Sequence, residues 1–214
     1  MKKRSGKAAG VNPRTRVRRR RVLLPKAPNA IFLVGFMGAG KSSVGRLLGR
    51  RLNWVFEDLD DRIEHREGRT IATIFRDSGE LEFRRAEHAA LEDLLEELRG
   101  AGGRVIALGG GAFVQKQNAM LLQAAGLPTV FLDAPVDELW QRCCKQAAEA
   151  AAERPLLRTL EQFRELYKAR RKSYSGASAR IQTGNRTIDA IATEIVETFG
   201  LTKIATRTEE GEVE

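Results

Sequence analysis

Residues 30–34, AIFLV, run directly into GFMGAGKSS at 35–43, and no other stretch so narrows what this chain can become. An apolar run, a glycine-rich turn, then a lysine and two hydroxyls reads as strand, loop and helix start. Residues 35–42 match G-x-x-x-x-G-K-[ST] in the setting that pattern requires. The glycines let the backbone turn tightly and bring successive N–H groups to phosphate oxygens. A helix starting near Lys41 adds the positive end of its dipole. The Lys41 ammonium suits β- and γ-phosphates, and the Ser42 hydroxyl is a hard oxygen ligand of the kind Mg²⁺ takes. The expectation is a nucleoside triphosphate bound by Gly38, Ala39, Gly40, Lys41, Ser42 and Ser43.

The rest of the chain alternates short apolar runs with helical patterns. Strands are expected at 30–36, 53–60, 103–110, 128–134 and 179–183. SVGRLLGRRL sets Val44, Leu47, Leu48 and Leu52 on one helical face, LEFRRAEHAALEDLLEELR is a long helix ending at Gly100, and Ile188, Ile191, Ile195 and Phe199 recur near the 3.6 period. Continuous apolar strands alternating with helices predict a three-layer α/β fold with a parallel sheet covered on both faces. Residues 61–98 hold more helix than a simple crossover needs. Residues 145–175 are polar and interrupted by Pro155, as insertions that build ligand sites and lids at strand ends are.

Charge must be located before it is interpreted. The formal net charge is +9, but residues 1–30 hold 11 of the 37 Lys and Arg and no acid, leaving 26 against 28 in the remainder. A near-neutral body with a basic tail is not a nucleic-acid-binding domain. The tail, residues 1–28, has too few apolar residues to fold and is expected to be a disordered extension, with a transit peptide or a polyanion-binding arm as alternatives. Residues 203–214 read as a second polar tail, around a body at 29–202. No stretch has the apolar length of a membrane span. The two cysteines, Cys143 and Cys144, are adjacent and form no disulfide framework, which suits a reducing, cytoplasmic compartment. His65 and His88 stand on polar segments with a surface role expected.

The nucleotide loop alone does not select between a switch, a motor and a small-molecule kinase, so a second site must decide. EDLD ends the second predicted strand, and a two-residue spacing would put Asp58 and Asp60 on one face, ~6.6 Å apart. One could hold Mg²⁺ through water and the other accept a proton from an attacking hydroxyl. An acidic helix N-cap is the plainer alternative, and VFLD, ending at Asp133, is a rival metal site. Gly109, Gly110 and Gly111 after an apolar run suggest something approaching the backbone closely. Arginines at 84, 85, 154 and 170 suit carboxylate recognition or neutralisation of a transferring phosphoryl group.

GFMGAGKSSVGRLL, DLD (58–60), Ile74-Phe75 followed by GELEFRRAE (79–87), GGGA (109–112), RPLL (154–157), and Arg170 four residues before Tyr174 stand in this order. Over residues 30–200 the series resembles the shikimate kinase family. The resemblance implies a P-loop kinase fold with strand order 2-3-1-4-5 and a lid near 145–160. It implies ATP-dependent phosphorylation of the 3-hydroxyl of shikimate, with ATP and shikimate as partners. A monomer is expected, and the charge distribution speaks against nucleic acid. It implies Mg²⁺ on Ser42 and Asp58, Asp60 as substrate contact and base, Arg84 and Arg170 on the substrate carboxylate, and an N–H from Gly110. Arg154 would reach the phosphates from the lid beside Lys41, and Arg142 and Arg186 would lie on the nucleotide side. Asp133 has no role in the family pattern. The Ala-rich stretch between Arg142 and Arg154 is longer than that pattern, and the 182–186 loop lacks its acidic and proline residues. Other readings are a kinase of another small acid such as gluconate, a nucleotide kinase, or a non-catalytic nucleotide-binding module.

Overall fold

Ala30–Val34 form strand β1, every residue of which is buried. In the computed structural model of the chain, residues 28–99, 102–150 and 159–203 are described. The expectations for the two tails beyond these limits, and for Arg154, fall outside the described residues. β1 is the central strand of a five-stranded parallel sheet completed by β2 (Val55–Asp58), β3 (Arg104–Ala107), β4 (Thr129–Asp133) and β5 (Ala179–Gln182). Their order is β2-β3-β1-β4-β5, as the family resemblance implied. Phe32 pairs with Ile106 on one side and Thr129 on the other, which brings the C-terminal ends of β3, β1 and β4 to one rim. The strands are shorter than the apolar runs, because the residues past each end turn into the rim loops.

Helices α1 (Lys41–Leu52), α2 (Leu59–Glu67), α3 (Ile71–Glu97), α4 (Lys116–Ala124), α5 (Val136–Ala150), α6 (Leu160–Tyr174) and α7 (Ile188–Phe199) cover the sheet. Val44, Leu48 and Leu52 of the α1 stripe are buried, as are Ile191, Ile195 and Phe199 of α7, while Ile188 at the first turn of α7 stays exposed. The long helix differs from expectation. GELEFRR does not open it; the helix already runs from Ile71, and Gly79 interrupts it with φ 80° and ψ 177°. Only a residue without a Cβ takes that conformation cheaply, so Gly79 re-aims the second half of α3. His88 also differs from a solvated residue, since its Nδ1 lies 2.6 Å from Asn118 Oδ1 and ties α3 to α4. Of the adjacent cysteines, Cys143 is buried and Cys144 exposed.

α1 lies so close to β2 that a Cβ on Gly49 would stand 2.9 Å from the Trp54 carbonyl oxygen and 3.3 Å from Phe56 Cβ. The Trp54 N–H also donates to Gly49 O at 2.8 Å, which locks the two backbones together. Gly49→Ala would gain up to ~1 kcal/mol of helix propensity but must push a backbone carbonyl aside. Overpacking of this kind costs about 1–3 kcal/mol, so the net expectation is a lower Tm in a thermal melt.

Candidate functional site

The loop between β1 and α1 is shaped by three positive-φ glycines, of which Gly35 (φ 144°) leaves the strand. Gly38 (φ 76°) passes under α5, where a Cβ would come 2.7 Å from Leu139 O, and Gly40 (φ 90°) caps α1. No side chain caps that helix and no acid lies in its first turn, so its N–H groups and dipole face the loop uncompensated. Ala39 is buried and anchors the turn by donating its N–H to Phe36 O at 3.2 Å. Lys41 Nζ arches over the loop, 3.0 Å from Gly35 O and 3.1 Å from Phe36 O.

Asp58 and Asp60 do meet beside this loop, but not by alternation along a strand. β2 ends at Asp58, which is the N-cap of α2, with its Oδ1 accepting from the Asp60 N–H at 3.2 Å. The N-cap alternative describes the backbone here, and it leaves both carboxylates beside the loop. The other oxygen of Asp58 accepts from Ser42 Oγ at 2.9 Å, joining α1 to β2 through a hydroxyl and a carboxylate. Asp60, in the first turn of α2, is held up to about 6 from an ordinary 3.8. Burial is the main cause, with the Asp58 charge adding to it and Lys41 opposing.

The three glycines after β3 each leave room for a different neighbour. A Cβ on Gly109 would meet Asp60 Oδ1 at 2.5 Å, and one on Gly111 would meet Arg84 Nη1 at 2.5 Å. Gly110 sits between, beside Arg170 and the backbone of Met37. The Ala112 N–H donates to Gly109 O at 3.1 Å. Because that peptide is trans, the Gly110 N–H points away from the 109–112 turn. Arg170 Nη1 donates to Gly110 O at 3.3 Å, and its guanidinium lies over the Phe36 ring at 6.0 Å.

Two adjoining cavities result. One, of about 230 Å³, is lined by Gly38, Gly40, Lys41, Ser42, Ser43 and Asp58. The other, of about 270 Å³, is lined by Arg84, Arg170, Glu87, Gly111 and the apolar walls Phe75 and Phe83. Met37, Asp60, Gly109 and Gly110 line both. A larger cavity, of about 670 Å³, lies between α1, α2, β2 and α3. Its Arg62 is bound to Glu57 and Glu97 and its Arg66 to Asp93, so those cations are already matched.

The other residues singled out from the sequence are placed as follows. Asp133 is not a metal ligand: its Oδ1 accepts from Tyr167 OH at 2.8 Å, and its Oδ2 from Arg180 Nε at 2.8 Å and Arg171 Nη2 at 3.1 Å. Arg186 donates to Gln182 O, Ala190 O and Glu194, binding its turn to α7. Arg142 reaches the loop, donating to Gly38 O at 3.3 Å and Thr183 O at 2.9 Å. Of the arginine pair, Arg84 lines the second cavity and Arg85 is exposed.

Glu87 was not singled out by the sequence reading. It is 1% exposed and accepts from Arg84 Nη1 at 2.9 Å and from Gln115 Nε2. Burial pushes its carboxyl up to about 6, opposed by Arg84. A signal existed: Phe83, Glu87, Ala90, Leu91 and Leu94 fall on one helical stripe, and all are buried.

The sequence profile of the shikimate kinase family matches residues 37–200. The chain belongs to the shikimate kinase family. The shikimate kinase of Geobacter sulfurreducens is 40% identical over 175 residues, spanning 80% of this chain and 91% of that one. That of Streptomyces avermitilis is 41% identical over 174 residues, spanning 80% and 95%. A solved shikimate kinase from Acinetobacter baumannii, in complex with shikimate, superposes with a TM-score of 0.69 at 35% identity, covering 79% of this chain and 91% of that one. The family's P-loop kinase fold is the architecture described above.

Asp60 also provides a stability test. Its folded value of about 6 lies above the ordinary 3.8, so between the two the native state keeps a proton that the unfolded chain releases. Its contribution to stability therefore falls as pH rises from 3.8 to 6 and stays at its lowest above that. Asp60→Asn removes the half-buried charge at nearly constant shape. At pH 8 it is expected to stabilise by on the order of 2 kcal/mol, about 5 °C in Tm. The gain should shrink as melts are repeated at pH values descending through 6.

Proposed function

We propose the following roles in the reaction of this family, transfer of the γ-phosphoryl group of ATP to the 3-hydroxyl of shikimate. One observation carries the assignment: the phosphate-loop cavity and the Arg84–Arg170 cavity share Asp60, Gly109 and Gly110. A triphosphate in the first and a small carboxylic acid in the second would meet at the one carboxylate common to both.

ATP lies along Gly38–Ser43, its phosphates taken by loop N–H groups, the α1 N-terminus and Lys41. The acid's carboxylate is held by Arg84 and Arg170, whose planar guanidinium groups suit two-point recognition, with the Gly110 N–H as a further donor. Its ring lies against Phe75 and Phe83, which stack with centroids 4.6 Å apart. Asp60 takes the proton of the 3-hydroxyl as that oxygen forms its bond to phosphorus and the bond to the β-phosphate oxygen breaks, releasing ADP. A carboxyl near 6 is ionised at neutral pH yet basic enough to accept that proton.

Ser42 Oγ and Asp58 Oδ2, 2.9 Å apart, are hard oxygen donors that fit a Mg²⁺ site. A Mg²⁺ ion held there would supply charge that neutralises the phosphates. Arg154 is assigned the remaining charge on the transferring group, as the family pattern implies. Arg142, at Gly38 and Thr183, is a better candidate than Arg186 for the nucleotide side.

A coupled ADP-release assay over a panel of hydroxy acids should select shikimate over gluconate. Asp60→Asn should lower kcat by roughly 100-fold or more while leaving the KM for ATP within about threefold. Arg84→Ala should raise the KM for shikimate roughly 10- to 100-fold, with little effect on ATP; equal loss of ATP binding in both variants would refute this division. For the wild type, kcat/KM should fall as pH drops through about 6, where Asp60 and, beside it, Glu87 take up protons. With Glu87→Gln that limb should persist, because Asp60 alone must be ionised to act as base.

A further inference from the structure

Helix α6 lies across the rim on one face. Tyr167, Arg170, Arg171 and Tyr174 follow one another at helical spacing. The first and third bind Asp133 at the end of β4. The other two both donate to one acceptor, the carbonyl oxygen of Gly110 in the loop after β3. β1 lies between β3 and β4, so α6 spans the phosphate-loop strand. Its Phe163 and Tyr167 meet the loop residue Phe36 edge-on, with centroids 4.9 and 5.5 Å apart.

Tyr174 differs from the other members of this face. It is completely buried, its ring 5.2 Å from that of Phe131, and it lines neither cavity of the site. Its hydroxyl is therefore set back from both cavities. Burial drives its ionisation well above the ordinary tyrosine value, so it remains an O–H donor at any working pH. That proton is directed at a peptide flanked by glycines, which carry no side chain to hold it in orientation.

A carbonyl oxygen has two lone pairs, and here Tyr174 and Arg170 occupy both. The Arg170 contact, 3.3 Å, is slightly longer than the ~2.7–3.2 Å usual for an N–H···O bond. Arg170 also lies over the Phe36 ring and lines the second cavity, where its charge can meet a ligand. Without the tyrosine hydroxyl, the Gly110 carbonyl would be short of a donor, and the nearest one is that guanidinium.

We propose that the Tyr174 hydroxyl is a positioning group for recognition of the acid. By holding the Gly110 carbonyl, it fixes the glycine peptide and keeps Arg170 directed at the substrate carboxylate. This rests on the placement of the acid between Arg84, Gly110 and Arg170.

The test uses the full chain as wild type, Tyr174→Phe and Arg84→Ala. Steady-state kinetics are run with shikimate and with the same ring carrying its carboxylate reduced to the alcohol, and each protein is melted. Tyr174→Phe keeps the ring and removes only the hydroxyl. It is expected to raise the KM for shikimate roughly tenfold, leaving kcat and the KM for ATP within about twofold. On the reduced analogue, wild type and Tyr174→Phe should have the same kcat/KM within about threefold. An unchanged KM for shikimate with Tyr174→Phe overturns the proposal, as does an equal loss on both acceptors, which would mark a structural defect followed by Tm. If Arg84→Ala leaves the KM for shikimate unchanged, the placement of the acid fails first and the proposal with it.

Discussion

Parallel pairing of β1 with β3 on one side and β4 on the other is the constraint from which the site follows. The register places Leu33 opposite Ala107 and Val130, so three chain segments leave the sheet side by side in the same direction. Every side chain of β1 and β4 is buried, so the pairing cannot slip by a residue without turning core side chains onto the wrong face. The nucleotide loop, the glycine triplet and Asp133 are therefore fixed relative to one another by the core. Helices then add the charged groups to this rim: α2 contributes Asp60, α3 Arg84 and α6 Arg170.

Charge inside the rim is balanced, not merely concentrated. Glu87 is buried and Asp60 half-buried, near Arg84, Arg170 and Lys41, and both are held above the ordinary carboxylate range. Arg84 is fixed by Glu80 and Glu87, at 2.9 Å each, and so presents a cation whose geometry is set before any ligand arrives. Arranging such groups in advance avoids reorganisation at the moment of reaction. The cost is the desolvation of ionised groups, which the core must offset.

What the sequence disclosed, and what it withheld, follows from the range of the interactions involved. GFMGAGKS encodes a backbone shape within eight residues, so loop, strand and helix were legible together. Strand order is not local and came only with the family resemblance. Asp58 and Asp60 were legible as a pair but not in their geometry, since a period of two cannot show that a strand ends and a helix N-cap begins at Asp58. Glu87 sits among charged residues, and its burial depends on Gln115, 28 positions away. Asp133 stood as a rival metal site until the family resemblance set it aside, because the arginines and tyrosine that fill its oxygens lie 34 to 47 residues downstream. The glycine triplet announced a close approach, but not that Asp60 and Arg84 make it.

That triplet also limits how the enzyme can change its diet. The volume that side chains at 109 and 111 would have filled already belongs to Asp60 and Arg84, so this wall can neither thicken nor retreat without moving a charged group. Met37 belongs equally to the nucleotide side. The wall left open to drift is the aromatic one, Phe75 and Phe83, with Phe75 39% exposed at its edge. On the proposed placement of the acid, altered acceptor preference, in a descendant or in the laboratory, would be written there.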